Sequence, residues 1–377
     1  MPDLAVIFGG PTPEHDVSIL TGLQAVRELE TPRDRVIHAI YWSKAGDWYE
    51  VDTKLEANAF IDGVPANSQL LRFELSGSER GFIPVGGRFS KARKVEFEAA
   101  IICCHGGPGE DGTLQASLDL AGISYSGPNH IGAALGMDKL AFSAIVASTG
   151  LPTLPRIALN GETSSLEYGG PFIVKPRFGG SSIGIEVVED LNTALALQRT
   201  SIHLRSGAVI EPYRPDLFDL QIGVRSWPEL SLSAVERPLR TQRTRDRAIE
   251  PEILGYVDKY VGGEGMASAP RQLPAEIEPA LESALREMAR EVSKLVSVRG
   301  VARIDFLSDG TELFINEINT IPGSLARYLW IDPVVPFSKL LGDLESEALQ
   351  SATHRYGSSG ADGLVLRGAA SIAAKLA

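Results

Sequence analysis

The sequence predicts an α/β protein built from three units, over residues 1–125, 126–215 and 216–377. Three observations lead to that prediction. Short apolar runs alternate with helical periodicity in the first unit, a second group of strands encloses a glycine-rich loop, and the third unit pairs a strongly amphipathic helix with two strands. With 377 residues and 44% apolar composition, the chain is long enough to bury more than one core.

The first unit begins with the apolar run Leu4–Phe8, which Gly9-Gly10 closes, and this pattern predicts a buried strand and a tight turn. Apolar residues then recur at helical spacing, at Val17, Leu20, Leu23 and Val26. Two further strands and one helix complete the predicted parallel sheet unit: Val36–Trp42, Ala99–Cys104 and, as the helix, Thr113–Ala121. Residues 45–95 carry no clear pattern, and no element is predicted there.

The second unit is predicted to start with one helix over Ile131–Thr149, with Gly150 as its C-cap. Lys139 falls inside that helix. Two apolar runs that flank the loop RFGGSSIG predict strands at Phe172–Pro176 and Ala208–Glu211.

The third unit carries the clearest amphipathic pattern in the chain. Apolar residues step by four and three from Leu281 to Leu295, which predicts a helix with one buried face. Strands are predicted at Val301–Leu307 and Leu313–Asn319, and a final helical segment is predicted to close this unit.

Composition and charge exclude several partners. The formal net charge of −12 removes the sequence-independent attraction to nucleic acid and to anionic membranes, so neither is predicted as a partner. Cys103 and Cys104 are adjacent in an apolar run, where they are predicted to be buried and unpaired. No signal-peptide pattern and no membrane-length apolar run is present, which predicts a cytoplasmic protein.

The two strands of the third unit predict an acidic hairpin. If Asp305 faces Glu317, then Arg303 faces Asn319, and all four side chains lie on one face of the hairpin. Two carboxylates and a carboxamide are hard oxygen ligands that suit Mg²⁺. The opposite, core face is predicted to hold Ile304, Phe306, Phe314 and Ile318, with Asn316 as an exception.

The length of the connecting loop decides the register of that hairpin. Pairing Asp305 with Glu317 requires an odd-length connection, whereas a two-residue Asp309-Gly310 turn would put the two carboxylates on opposite faces. We favour the longer loop. A solvated polar face with an Arg–Asp pair is the alternative interpretation of the same residues.

A glycine-rich loop follows the strand that contains Lys175. Glycines let the backbone approach a ligand and direct successive N–H groups at an anion, although the segment Phe178–Gly184 lacks the lysine of a Walker A loop and could be an ordinary flexible loop. Lys175 lies inside an apolar run, and a buried ammonium needs a partner or a ligand.

Taken together, these segments resemble the D-alanine–D-alanine ligases of the ATP-grasp group. The resemblance covers roughly residues 4–345. It rests on the order of the following motifs: VIFGGPTPEHDVS, HGGPGEDGTLQ, MDK, FIVKP with GGSSIG, YVDKY, and ARIDF with NEINTIPG. It implies an ATP-grasp fold of three α/β subdomains, with ATP held between the central and C-terminal ones, and a reaction that passes through an acyl phosphate.

The resemblance implies a set of nucleotide and metal contacts. Asp305, Glu317 and Asn319 would bind two Mg²⁺ ions, with Mn²⁺ as an alternative ion. Lys259 would reach the γ-phosphate when its loop closes, and backbone amides around Ser182 would cover the terminal phosphates. The other implied nucleotide contacts are Lys139, Lys175, Glu211, Tyr213 and Asp219.

The resemblance also implies an amino-acid site. Glu14, Ser181 and Tyr260 match a hydrogen-bonded trio around the first amino acid, whose ammonium Glu14 would hold. Arg303 and the backbone N–H of Gly323 would stabilise the oxyanion of the tetrahedral intermediate. Further substrate contacts would come from His105, Tyr256, Arg327 and Tyr328. Some of these residues also have ordinary structural interpretations: Glu14 as a carboxylate at a helix N-terminus, His105 as a partner of Glu110, and Tyr260 as a packed aromatic.

The sequence departs from the family after Pro322-Gly323. Tyr328 falls where the family has a serine that holds the carboxylate of the second amino acid, so the acceptor is in question. Cell-wall D-Ala–D-Ala synthesis therefore competes with a specialised ligase that uses another acceptor, and with a nucleotide-binding protein without catalysis. The basic segment Arg237–Arg247 has no family counterpart and is interpreted as a solvated loop, and a homodimer is a further implication of the resemblance.

Overall fold

The computed structural model describes residues 3–31, 35–86, 93–239, 270–351, 357–368 and 371–372. The predictions made for Tyr256, Lys259, Tyr260 and residues 240–247 lie outside these ranges. No helix in the described part of the chain is long and apolar enough to cross a bilayer.

A seven-stranded sheet forms the first unit, in the order β5-β4-β3-β2-β1-β6-β7. Its strands are β1 Leu4–Gly9, β2 Ile37–Trp42, β3 Trp48–Val51, β4 Gln69–Glu74, β5 Gly81–Pro84, β6 Ala99–Ile102 and β7 Ser124–Tyr125. The strands β2, β1, β6 and β7 are parallel, as predicted, whereas β3, β4 and β5 are antiparallel. The prediction of a parallel sheet was wrong for this half, because the short connection between β2 and β3 can join antiparallel strands but not parallel ones.

The first sheet is covered by α1 (His15–Leu29), followed later by α2 (Gly107–Glu110) and α3 (Thr113–Ala121). Val17, Leu23 and Val26 of α1 are buried as predicted, but Leu20 is 41% exposed and Ile19 takes the core position instead. Cys103 and Cys104 are fully buried and free, which confirms their prediction.

The last long helix, α8 (Phe337–Gln350), packs against the first sheet. Leu340, Leu341 and Leu344 belong to the same buried cluster as Ile101 of β6. The expectation that this helix closes the third unit was wrong. Its apolar face satisfies the helical period equally well on either sheet, so periodicity could not say which sheet it covers.

The central unit contains a four-stranded sheet in the order β10-β9-β11-β8. Its elements are α4 His130–Met137, α5 Lys139–Ser148, β8 Ile157–Leu159, β9 Phe172–Pro176, β10 Glu186–Val188, α6 Leu191–Thr200 and β11 Ala208–Pro212. The predicted single helix over Ile131–Thr149 is broken at Asp138. That residue has extended backbone (φ −82°, ψ 97°), caps α5 by accepting from the N–H groups of Leu140 and Ala141, and pairs with Arg177. Gly150 ends α5 with a φ of +80°, as a glycine past a helix C-terminus should.

The third unit is a five-stranded sheet in the order β14-β13-β12-β15-β16, packed against α7. Its elements are β12 Phe218–Arg225, β13 Ser231–Pro238, β14 Arg271–Gln272, α7 Pro279–Leu295, β15 Val301–Ser308 and β16 Leu313–Asn319. Leu285 and Val292 of α7 are fully buried against Ile222 and Ile304 of the sheet, which confirms the predicted amphipathic helix. The remaining elements are a short helix and three 3-10 turns: α9 Leu364–Arg367, Ala57–Phe60, Ile202–Leu204 and Gly323–Leu329.

Candidate active site

The acidic hairpin has the predicted register at its functional end. Asp305 of β15 pairs with Glu317 of β16, and Arg303 pairs with Asn319. Ile304 and Phe306 are fully buried on the opposite face, with Ile318 nearly so. The alternation of side chains along a strand therefore presents the polar residues to one face and the apolar residues to the core.

The loop end of the hairpin differs from the prediction. The connection Asp309–Glu312 has four residues, and a register shift between Asp305 and Phe306 offsets its even length. The extra residue is Asn316, which lies in a β-bulge. The same bulge moves Phe314 off the core face, where Ile315 takes its place at 1% exposure. The predictions of an odd-length loop and of a core position for Phe314 were therefore wrong, because both assumed that the two strands pair without a bulge.

Asp305 is the centre of a hydrogen-bond cluster. Arg303 binds it with both arms of its guanidinium, at 2.6 Å from Nε to Oδ1 and 2.8 Å from Nη2 to Oδ2. Asn319 Nδ2 donates to Oδ2 at 3.2 Å, and Gln221 Nε2 approaches the same oxygen at 3.4 Å. Arg303 and Asp305 are both about 95% buried, so the pair holds its geometry away from bulk water.

Two lysines reach the same region from the central unit. Lys139 Nζ lies 3.2 Å from Glu317 Oε2 and donates to the carbonyl of Gly179 in the glycine loop. Lys175 pairs with Glu211, which also accepts from Arg156 Nε at 2.8 Å. Burial lowers the pKa of Lys175 against the attraction of Glu211. Burial also opposes ionisation of Glu211, but Arg156 and Lys175 outweigh it and hold the pKa of that carboxyl below its usual value.

These side chains line one cleft between the central and third units. Apolar residues form part of its wall, including Ile173 of β9, Leu307 of β15 and Leu154 from the connection between α5 and β8. The predicted nucleotide and metal residues that line it are Lys139, Lys175, Ser182, Glu211, Tyr213, Asp219, Asp305 and Glu317. The backbone N–H of Tyr213 donates to the carbonyl of Pro171 at 3.0 Å, so a backbone contact to a base would fall to the carbonyl of Tyr213.

The glycine loop joins this cleft to the first unit. Ser181 Oγ donates to Glu14 Oε1, and both side chains are buried. Ser181 and Ser182 have φ values of +54° and +59°, a left-handed conformation that turns the backbone sharply between the glycines and Ile183. Two members of the predicted trio are therefore in contact, and the third, Tyr260, lies outside the described residues.

His105 is fully engaged by neighbouring groups. Its Nδ1 lies 2.7 Å from the carbonyl of Ile321, and its Nε2 lies 2.7 Å from Thr21 Oγ1. Because a carbonyl can only accept, Nδ1 carries the proton and Nε2 accepts from the threonine. Burial lowers the pKa of His105 to about 4, which keeps the ring neutral. Glu110 is not its partner: the Glu110 carboxylate accepts from the backbone N–H groups of Gly106 and Ile321.

The segment after Pro322 forms the far end of the site. Gly323 opens a buried turn in which Ser324, Leu325 and Ala326 each have a φ of +50°. Left-handed backbone costs roughly 1–2 kcal/mol per residue. Leu325 and Ala326 are almost fully buried in the first core, and their packing there offsets part of that cost.

Tyr328, in the same turn, belongs to a second cluster of buried charges. The Arg271 guanidinium lies over its ring at 4.7 Å, and Arg271 Nη1 is 2.9 Å from Glu236 Oε1. Burial raises the pKa of Glu236 to about 7, although Arg271 and Arg303 oppose the shift. Burial, helped by the nearby Glu236 carboxylate, raises the pKa of the Tyr328 hydroxyl, and Arg303 and Arg271 oppose that shift. Arg327 lies apart, since it is exposed and its guanidinium stacks over Phe337 at 5.4 Å.

Sequence reasoning missed several residues of the site. Glu236 carried a signal that could have found it, because a carboxylate inside the apolar strand β13 needs a partner for the same reason as Lys175. Arg156, Arg271 and Gln221 gave no such signal, because their roles depend on partners that are distant in sequence.

The donor set of the hairpin fits Mg²⁺ when the ion shares its shell with phosphate. Asp305 and Glu317 supply carboxylate oxygens that face the cleft, and Asn319 adds an amide next to them. Within the described ranges, no group of three or more His, Cys, Asp or Glu side chains is placed to hold a metal ion by itself. A protein with so few carboxylates at the site needs the oxygens of a bound nucleotide to complete the shell.

Comparison with known proteins decides the family. The model described as D-ala D-ala ligase N-terminus matches residues 3–128, and the model described as D-ala D-ala ligase C-terminus matches residues 134–342. The chain belongs to the D-alanine–D-alanine ligase family. It is therefore an ATP-dependent ligase of the type that forms a dipeptide.

Individual relatives cover nearly the whole ligase. A D-alanine–D-alanine ligase from Mycobacterium ulcerans (strain Agy99) is 31% identical over 92% of this chain and 95% of its own length. One from Mycolicibacterium gilvum (strain PYR-GCK) is 29% identical over 93% of this chain and 98% of its own length.

Solved structures give the same fold. The VanG D-Ala:D-Ser ligase from Enterococcus faecalis has a TM-score of 0.72 at 24% identity, and covers 92% of this chain and 99% of its own. The D-alanine–D-alanine ligase from Helicobacter pylori has a TM-score of 0.68 at 24% identity, and covers 94% of this chain and 99% of its own. The three sheets of this ligase therefore form the ATP-grasp fold.

Proposed function

We propose that this ligase activates the carboxylate of D-alanine with ATP and joins it to the amine of a second amino acid. One observation carries the proposal. Two lysines, two facing carboxylates and a glycine loop converge on one cleft, and Ser181 at the end of that loop contacts Glu14 of the first unit. A phosphate-binding surface and an amino-acid site are therefore in direct contact.

Each residue of the cleft has a role in the first step. Lys139 and Lys175 neutralise the phosphates, and the turn at Ser181–Ser182 directs backbone N–H groups at them. Asp305, Glu317 and Asn319 would hold two Mg²⁺ ions, whose chemistry would be to offset the charge on a transferring phosphoryl group. Glu14 holds the ammonium of the donor, so that its carboxylate points towards the γ-phosphate.

The second step uses the other end of the hairpin. The acceptor amine attacks the carbonyl of the acyl phosphate, a tetrahedral oxyanion forms, and phosphate leaves. Arg303 is fixed by Asp305 in a charge-assisted pair and, together with the N–H of Gly323, stabilises that oxyanion. By the family resemblance, Lys259 and Tyr260 would shield the acyl phosphate from water, and Tyr256 would border the substrate; all three lie outside the described residues.

A second candidate differs only in the acceptor. Tyr328 replaces the serine expected at that position, and it lies beside Arg271 and Glu236 instead of in a small apolar wall. This arrangement favours a ligase whose best acceptor is not D-alanine. Arg327 contacts Phe337 and adds no charge to this cluster. A homodimer and a cytoplasmic location stay predictions from the sequence.

The test is phosphate release from ATP, measured with amino acids supplied singly and in pairs. Release that requires two amino acids, with D-alanine as one of them, supports the ligase. Release with one amino acid alone means activation without transfer. If no phosphate is released with single amino acids or with pairs, the proposal is overturned in favour of nucleotide binding alone. Product mass identifies the acceptor.

A further inference from the structure

The bulge at Asn316 determines where Glu317 points. From Ser308 to Phe306, the partners on β16 follow the register set by the four-residue loop, in which Phe306 pairs with Ile315. If that register continued, Asp305 would pair with Asn316, and Glu317 would face the core beside Ile304. The bulge adds one residue and returns Glu317 to the cleft. The metal hairpin therefore depends on this irregularity.

A bulge leaves backbone groups outside the strand ladder, and these groups need other partners. In this ligase the segment between α5 and β8 supplies them. Ile315 N–H donates to the carbonyl of Pro152 at 2.9 Å. Arg156 Nη1 donates to the carbonyl of Asn316 at 3.3 Å, and Arg156 Nη2 donates to Asn316 Oδ1 at 3.1 Å. Both the backbone carbonyl and the side chain of Asn316 therefore accept hydrogen bonds from Arg156.

The same guanidinium also contacts the phosphate-binding side of the cleft. Arg156 Nε donates to Glu211 Oε2 at 2.8 Å, and Glu211 in turn pairs with Lys175. Arg156 Nη1 donates to the carbonyl of Lys139 at 3.1 Å. The Arg156 side chain is 1% exposed, so these bonds are shielded from water. The planar guanidinium of Arg156 therefore contacts the bulge on β16, the Glu211 carboxylate on β11 and the first residue of α5.

We propose that Arg156 is a positioning residue for the metal hairpin, which holds the Asn316 bulge so that Glu317 faces Asp305. The proposal rests on the proposed function, because it takes Asp305 and Glu317 as the metal ligands. Arg156 touches neither substrate nor metal. It acts through Asn316 on one side and through Glu211 on the other, and so couples the metal site to the lysines that bind phosphate.

The experiment measures Mn²⁺ binding to the full chain in the presence of ADP, from the signal of free Mn²⁺ in electron paramagnetic resonance. Arg156→Met and Asn316→Leu should each weaken Mn²⁺ binding by about tenfold, the range seen when groups that orient metal ligands are removed. Arg156→Lys keeps the charge but loses the planar guanidinium and its several N–H donors, so it should also bind Mn²⁺ more weakly. Affinity for ADP in EDTA is measured for each variant as well, because Asn316 also lines the cleft and a loss of Mn²⁺ binding must be separated from a loss of ADP binding.

Arg35→Met is the matched control. Arg35 is a similarly buried arginine that pairs with Glu345 at 2.6 Å, away from the cleft. It should lower thermal stability and leave the Mn²⁺ affinity within about twofold of the parent, the level expected of a distant site. Loss of Mn²⁺ affinity in this control equal to that in Arg156→Met would mean that general destabilisation explains the effect.

Glu317→Gln separates this proposal from the one on which it rests. Weakened Mn²⁺ binding in Glu317→Gln, with parental binding in both Arg156→Met and Asn316→Leu, overturns the positioning role and leaves the metal assignment standing. Parental binding in Glu317→Gln overturns the metal assignment itself. If Arg156→Met does not fold, Asn316→Leu carries the test, since it removes one side-chain hydrogen bond to Arg156 and no charge.

Discussion

Glu317 lies directly across from Asp305 on neighbouring strands, and a bulge at the preceding residue, Asn316, makes that pairing compatible with a four-residue loop. The two carboxylates would repel each other without nearby cations. Arg303 binds Asp305 with both arms, and Lys139 lies 3.2 Å from Glu317, so each carboxylate has its own counter-ion. The hairpin therefore presents oxygen ligands at one end of the cleft while its charge stays balanced.

Replacing one of these ligands should stop the first chemical step. Glu317→Gln keeps the size of the side chain and removes its charge, which weakens Mg²⁺ at the reacting phosphate. We expect ATP turnover to fall by at least about a hundredfold, at the upper end of the losses produced by outer-shell changes at metal sites. The measurement is kcat for phosphate release at saturating Mg²⁺ and amino acids. A kcat close to that of the parent ligase would show that the hairpin holds no catalytic ion.

The contact between Ser181 and Glu14 should determine affinity for the donor. Ser181→Ala removes the hydroxyl that donates to Glu14, and we expect KM for the first amino acid to rise by about tenfold to a hundredfold, the value of one hydrogen bond to a charged group. Affinity for ADP should be unchanged, because the Ser181 hydroxyl donates to Glu14 of the first unit and is not among the groups assigned to the phosphates. Equal losses of ADP and amino-acid affinity would instead indicate that the whole glycine loop has moved.

Glu110 should make stability depend on pH. Burial, helped by the nearby Glu14, raises its pKa to about 7 from 4.5, so the folded ligase holds a proton that the unfolded chain has lost between these values. The free energy of unfolding should therefore fall as pH rises from about 4.5 to about 7. Glu110→Gln keeps an acceptor oxygen and cannot ionise. Over this range, its free energy of unfolding should therefore fall by about 1–3 kcal/mol less than that of the parent ligase.

Chemical denaturation at pH 5 and pH 8, without substrates or metal, measures this difference. The parent ligase should lose stability between the two pH values, and Glu110→Gln should lose much less. If the two proteins change in parallel, then another group is responsible for the pH dependence.

Tyr328 should control the choice of acceptor. Its ring lies under the Arg271 guanidinium, and it stands where the family resemblance places a serine. We expect D-alanine to be a poorer acceptor than at least one bulkier or more polar amino acid. Tyr328→Ser should raise kcat/KM for D-alanine relative to that acceptor by about tenfold or more, the worth of one charge-assisted contact to a carboxylate.

Tyr328→Phe is the control for this change, because it keeps the ring under Arg271 and removes the hydroxyl alone. The measurement is a side-by-side comparison of kcat/KM for several acceptors in the three proteins. If D-alanine proves the best acceptor of the parent ligase and Tyr328→Ser leaves the order unchanged, the plain D-Ala–D-Ala assignment is restored.

Local pattern was enough to predict much of the ligase. Strands β9 and β16 and helix α3 have the predicted bounds, and Asp305 pairs with Glu317 as predicted, although the bulge at Asn316 and not an odd-length loop produces that register. The buried lysine at Lys175 was predicted to need a partner, and Glu211 is that partner. These inferences succeed because each depends on residues that are close in sequence or on an alternation fixed by backbone geometry.

The α/β class, the polar face of the hairpin, the glycine loop and the order of the family motifs could all be predicted from the residues alone. The break at Asp138 and its pair with Arg177, the packing of α8 on the first sheet, and the contact of Arg156 with Asn316 became visible only in the folded chain. These three features share one cause. Periodicity specifies which face of an element is apolar, whereas the partner of that face, and of a buried charge, is fixed by contacts between residues that are distant in the chain, 160 positions apart for Arg156 and Asn316.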